Sequence, residues 1–131
     1  MKKSFNRKSL LLPLLLLATG SAWAGWEEVG ESSTETTFYI DRATIRKDGN
    51  LRRMWEVLDL KQRGKDGGIS FRTKNEYDCK GERYRILASS SHAEPMAGGK
   101  TIFSFGEDPS GWRDIPPRTP SEAKLRIACA Q

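Results

Sequence analysis

The sequence predicts an α+β chain that is mainly β, an antiparallel sheet closed by one helix at its C-terminal end. Three observations carry that reading. "ISFRTKNEYDC" alternates apolar and polar residues with a period of two, the mark of a half-buried strand. "TPSEAKL" opens a helix with a threonine cap, a proline in the first turn and a glutamate three residues after the cap. Two cysteines, Cys79 at the end of that strand and Cys129 on that helix, are placed to join the two.

The N-terminal segment is read apart from the fold. Lys2, Lys3, Arg7 and Lys8 precede an apolar run from Leu10 to Ala18, broken only by Pro13. Ala22-Trp23-Ala24 follows with the small-x-small spacing of a signal-peptidase site. Residues 1–24 are therefore expected to be a secretory signal peptide, cleaved between Ala24 and Gly25. A membrane anchor would need about 20 apolar residues, and no later segment offers them either. A lipoprotein needs a cysteine at the first mature position. Gly25 stands there, so no lipid anchor is expected.

What remains, residues 25–131, is the length of one domain. The whole chain holds 22 basic and 17 acidic residues, but four of the basic ones belong to the signal segment and none of the acidic ones do. The mature chain is thus nearly neutral, which removes the electrostatic argument for nucleic-acid binding.

The elements follow in order. "WEEVGES" and "TTFYI" read as the first two strands. "LRRMWEVLDLK" fits both a helical stripe (Leu51, Met54, Trp55, Leu58) and a strand apolar on both faces; the hairpin signal "KDGN" just before it favours the strand. In "ISFRTKNEYDC", Ile69, Phe71, Thr73, Tyr77 and Cys79 take the buried face. Ser70, Arg72, Lys74, Glu76 and Asp78 take the solvent face. "CKGE" turns the chain, its glycine free to adopt positive φ. "RYRILASSS" returns with Tyr84, Ile86 and Ala88 on one side, and "KTIFSFG" adds a strand with Phe103 and Phe105 on one face. "QRGKDGG", "HAEPMAGGK" and "GEDPSG" read as loops. The helix aligns Leu125, Ala128 and Cys129.

Export places the two cysteines in an oxidising compartment, where a lone pair normally bonds. A catalytic thiol is the rival reading. It has no C-x-x-C context, and His92 is the sole histidine. A Cys79–Cys129 bond would fasten a helix of two or three turns, too short to persist alone, onto the buried face of a strand.

Over about Trp26 to Cys129 the chain resembles the surface-adhesin protein E domain of Gram-negative bacteria. The carrying segments are "WEEV", "FYIDRATI", "MWEVLDL", "SFRTKNEYDC" with its "EYDC", "GWRDIPP" and the cysteine near the C-terminus. The resemblance implies about six antiparallel strands, with the C-terminal helix on the concave face tied by the disulfide. It also implies attachment to host extracellular-matrix proteins.

No catalytic, metal or cofactor constellation emerges. His92 stands beside Glu94 in a segment read as a solvated loop, and the serines at 89–91 lack a nucleophile elbow. Glu76 and Asp78 read as part of a solvated charge ladder with Arg72 and Lys74. Trp55 reads as core and Trp112, after "DPSG", as an exposed aromatic. Arg72, Lys74, Arg83 and Arg85 are expected side by side across the hairpin, a basic stripe for an acidic partner protein or a sulfated glycan. With Trp112 they are the candidate partner-binding residues. Two functions fit: a non-catalytic protein-binding module at the cell surface or in the periplasm, and a periplasmic inhibitor or accessory protein of an envelope enzyme that presents "HAEPMAGGK".

Intact-mass analysis of exported protein should find Gly25 as the first residue; retention of Met1 would overturn the signal-peptide reading.

Overall fold

The computed structural model describes residues 25–131. The expected signal peptide, including Ala24, lies outside the described residues. Eight strands form one antiparallel sheet: β1 (Glu27–Glu31), β2 (Thr37–Ile40), β3 (Arg46–Asp48), β4 (Leu51–Asp59), β5 (Ser70–Asp78), β6 (Arg83–Glu94), β7 (Gly98–Phe105) and β8 (Arg113–Asp114). Among the described residues there is one α-helix, α1 (Pro120–Cys129). The main path runs β1-β2-β4-β5-β6-β7.

Three long central strands carry the sheet, and each outer edge of that trio is shared by two shorter strands. β2 and β3 lie end to end along β4, separated by a one-turn 3-10 segment at Arg42–Thr44. β7 and β8 divide the edge of β6 in the same way. β4 is a strand, as the "KDGN" signal indicated. Gly49 in that turn has φ 56°, a conformation that costs glycine nothing.

At the β5–β6 turn the left-handed residue is Glu82 (φ 51°), not the glycine. Gly81 is required by crowding instead, because a Cβ there would lie 2.5 Å from Asp78 Oδ2. The Asp78 carboxylate accepts from the Lys80 and Gly81 amides and from Arg83 Nε, so one side chain ties the turn together. One residue, Leu87, bulges out where Asn75 pairs with Ile86 and Lys74 with Ala88. The bulge turns Ala88 to the face opposite Tyr84 and Ile86, against the sequence expectation. "HAEPMAGGK" is no loop either: it is the end of β6, a tight turn and the start of β7.

Cross-strand partners share a face, so the register assigns two faces to the sheet. Met54, Glu56, Tyr77 and Tyr84 look toward α1. The core there joins Ile40, Met54, Tyr77, Leu125 and Ala128, with Val29, Ile45, Ile115, Ile127 and Cys129 packed around it. Arg53, Trp55, Val57, Arg72, Lys74, Glu76, Arg83 and Arg85 look the other way, onto a face that α1 leaves open.

Helix α1 begins as its sequence indicates. Thr119 Oγ1 accepts from the Glu122 amide at 3.3 Å, and Pro120 fills the first turn. The Glu122 carboxylate accepts from Arg126, one turn on, rather than completing a reciprocal cap. Cys79 and Cys129 are bonded, with Cα atoms 5.7 Å apart and a separation of 50 in sequence. A closed loop of that length stabilises a fold by about 4 kcal/mol through the unfolded chain's lost entropy.

A second tie was not visible in the helical stripe. Lys124 is buried, and its Nζ donates to Glu56 Oε1 at 2.7 Å on β4. The other Glu56 oxygen accepts from the Tyr77 hydroxyl on β5. Glu56 and Tyr77 are both fully buried. Burial first, and then the Glu56 charge, push the Tyr77 phenol well above its ordinary range, so it stays a donor. Lys124 Nζ also stands 4.9 Å from the centre of the Phe38 ring.

Two outcomes follow for stability. Cys129→Ala should cost roughly 2–4 kcal/mol in urea unfolding and open the residues after Pro120 to limited proteolysis; a variant that melts like the parent would refute the staple. Lys124→Met alone should cost roughly 3–5 kcal/mol by stranding Glu56, and pairing it with Glu56→Gln should recover most of that loss.

Candidate functional site

The open face carries the side chains able to meet a partner. At its centre lies Glu76, fully buried rather than exposed as its place in the alternation suggested. Arg53 on β4 and Arg85 on β6 flank it in register. Arg53 Nε donates to Oε2 at 2.6 Å and Arg85 Nε to Oε1 at 2.7 Å. The row continues outward to Asp48, 3.6 Å from Arg53, and Glu107, 3.4 Å from Arg85. Burial alone would raise the Glu76 carboxyl, but the hydrogen bonds and charges of the two arginines outweigh it and hold the group below its ordinary value. The stability this gives is present above the ordinary glutamate pKa and is lost as pH falls through the depressed one.

The expected continuous basic stripe is broken by the register. Arg72 and Lys74 pair with Ser90 and Ala88, whereas Arg83 and Arg85 pair with Asp78 and Glu76. The face instead bears two separate cation–tryptophan clusters. In the first, the Arg72 guanidinium lies 3.8 Å from the Trp55 ring centre and Lys74 Nζ lies 5.9 Å from it. Trp55 is thus a half-buried surface aromatic and not a core residue. In the second, Arg83 and Arg85 each lie 4.7 Å from the Trp112 ring. Trp112 is therefore already engaged, and only partly exposed.

The two clusters differ in spare charge. Arg83 and Arg85 are paired with Asp78 and with Glu76 and Glu107. Arg72 and Lys74 have no carboxylate partner among the described residues. Alternation identifies the face of all four residues; the pairing that consumes Arg83 and Arg85 follows from the hairpin register next to the turn, ahead of the bulge at Leu87.

His92 also departs from expectation. It is a buried residue of β6, with Nε2 at 2.7 Å from Ser90 Oγ and Nδ1 without a partner. Burial and then the Arg72 charge lower its pKa, which favours the neutral ring. Among the described residues no cluster of His, Cys, Asp or Glu is arranged to hold a metal ion. None of the described helices is long and apolar enough to cross a membrane.

The fold has solved counterparts. Crystal form II of Haemophilus influenzae protein E superposes with a TM-score of 0.62 at 16% identity, over 82% of this chain and 88% of that one. The selenomethionine form of the same protein gives 0.61 at 15% identity, covering 82% and 87%. Protein E from non-typeable H. influenzae gives 0.58 at 16%, covering 82% and 76%. At such identity the likeness establishes the fold. The comparison with curated proteins gives no match. The family model described as surface-adhesin protein E matches residues 26–130, nearly all of the described chain. With the disulfide-tied helix, the antiparallel sheet and that match in agreement, the chain belongs to the surface-adhesin protein E family.

Proposed function

We propose that this chain is an exported, non-catalytic protein-binding module that attaches through the open face of its sheet, with a host extracellular-matrix protein as its partner. The observation that carries the reading is the unpaired charge of Arg72 and Lys74 beside Trp55 on a face the helix does not cover. Cations free of internal partners steer an acidic surface and raise the rate of encounter. Large aromatic and arginine side chains supply most of the energy once contact is made. Arg83, Arg85 and Trp112 complete the surface as a stack already ordered in the free protein, which lowers the entropy cost of binding. The family's name supports attachment as the role, and the N-terminal segment supports export to the periplasm or outer surface of a Gram-negative cell. Neither a cofactor nor a nucleic acid enters this reading.

A second reading, a periplasmic inhibitor or accessory protein of an envelope enzyme, has its own observation. The β6–β7 turn holds Met96 and Ala97 at φ 57° and 59°, unusual for residues with side chains. The Met96 amide donates to Asp59 Oδ1 and the Ala97 amide to Ser70 Oγ, so the turn is fixed from below. A rigid, strained turn is suited to presentation toward an active site.

Protease shaving of whole cells separates the two, because a surface adhesin is removed and a periplasmic protein survives. For the first reading, mature protein is tested against immobilised matrix proteins and against native envelope lysate. Saturable binding is expected. Arg72→Glu with Lys74→Glu should slow association about tenfold at low salt and flatten its salt dependence. Saturable binding to neither pool would count against a binding module. Arg85 is a poor choice for charge reversal, since it would set a second carboxylate against buried Glu76.

A further inference from the structure

A pocket of about 290 Å³ opens on the same face, lined by Thr44, Arg46, Arg53, Met54, Trp55 and Lys74. Three cations and an indole line it, and no carboxylate does. Two other pockets differ in kind: one beside the disulfide is lined by Glu82, Glu122 and Arg126, and one at the β1–β2 turn contains the Glu35–Lys61 ion pair. The second balances its own charge, and the first is lined by one more carboxylate than cation.

The register places two like charges side by side at the pocket, one of them, Arg53, already paired with Glu76 and Asp48. Arg46 on β3 is the direct cross-strand partner of Arg53 on β4. Like charges facing one another in this way destabilise a sheet. One pair further along, two positions or about 7 Å away on β4, Trp55 faces Lys74. The side chains are nonetheless held in place. Arg46 donates through one terminal nitrogen to the carbonyls of Ala43 and Ile45, both at 3.0 Å, which leaves its other N–H groups without an acceptor among the described residues. Arg53 is anchored on Glu76. Thr44 Oγ1 accepts from the Trp55 amide at 3.0 Å and fixes the backbone beneath the indole. Arg72 is stacked on that indole from outside the pocket lining.

We infer that this pocket is a binding site for a sulfated polysaccharide, with sulfate groups on Arg46, Arg53 and Lys74 and a sugar ring against Trp55. Guanidinium groups with unused N–H donors match the geometry of a tetrahedral oxyanion. An indole offers a flat apolar surface to the C–H face of a pyranose. The pocket lies across the paired strands β3, β4 and β5, which suits a segment of a long chain. Arg46 has no carboxylate partner among the described residues, and a bound anion supplies one. The site goes beyond attachment to a protein and does not depend on it.

The test uses the mature protein and heparin free of any protein core, with fully desulfated heparin and the carboxylate-only chain hyaluronate as separate arms. Heparin should bind, and the other two should bind at least about tenfold more weakly at 0.15 M salt. Arg46→Glu and Lys74→Glu should each weaken heparin binding about tenfold, while Lys65→Glu and Lys100→Glu, exposed cations elsewhere, should change it less than twofold. Arg46→Glu should also leave the unliganded protein at least as heat-stable as the parent, because it turns a repulsive cross-strand pair into an attractive one. Equal binding of desulfated chains, equal loss in the Lys65 and Lys100 variants, or full binding by a folded Arg46→Glu protein would each overturn the site. Arg46 is not among the residues assigned to the protein partner. A protein-binding failure with heparin binding intact, or the reverse, therefore tells the two proposals apart.

Discussion

One buried ammonium fixes the architecture. Lys124 reaches from α1 to Glu56 on β4, and Glu56 in turn holds the Tyr77 hydroxyl on β5. Desolvating such a pair is costly, and its net worth to stability is small. Its value is positional, because only one placement of the helix satisfies both groups. The disulfide lies little more than one turn further along α1 and secures the same placement by chain entropy. Core packing of Leu125 and Ala128 on Ile40, Met54 and Tyr77 fills the space between the two ties. With the helix fixed there, that side of the sheet is committed to structure, and the opposite side is left open.

The opposite side is organised by the inverse arrangement, a buried carboxylate between two partly exposed arginines. Glu76 binds Arg53 and Arg85 across three central strands, so a single acidic group aligns cations on both neighbours. Trp112 over Arg83 and Arg85, and Trp55 beneath Arg72, extend that order to the aromatic residues. The result is a face whose long side chains are largely immobilised before any partner arrives. Such preorganisation is what converts a modest contact area into affinity.

Much of this was legible from residue patterns. The cap at Thr119, the "KDGN" turn, the alternation of β5 and the pairing of the only two cysteines each rest on local chemistry. Where the reading missed, the missing information was long-range. Alternation places Glu76 on the solvent side of the pleat correctly but says nothing of the arginines that close over it. The extra residue at Leu87 shifts register without leaving any mark in composition, and that shift sets Ala88 and Ser90, not Leu87 and Ser89, opposite Lys74 and Arg72. Lys124 sits between apolar neighbours in the helix, and a polar letter there reads as solvent until Glu56 is known to lie opposite. Trp55 and Trp112 both prove partly exposed and stacked with cations, because what stacks on a tryptophan is not written in its neighbours in sequence. The Arg46–Arg53 pairing depends on the β3–β4 register, which local patterns do not carry.

The position of Cys129 also sets an order of events. A chain that emerges from its N-terminal end presents every strand of the sheet before the second sulfur appears. Until then the surface formed by Ile40, Met54 and Tyr77 has no cover, and Glu56 has no ammonium. The sheet must therefore persist as an open, sticky half-structure for the time it takes the last dozen residues to arrive and be oxidised. Anything that covers that surface or speeds the oxidation would raise the yield of folded protein, since closure of the helix competes with self-association of the bare sheet.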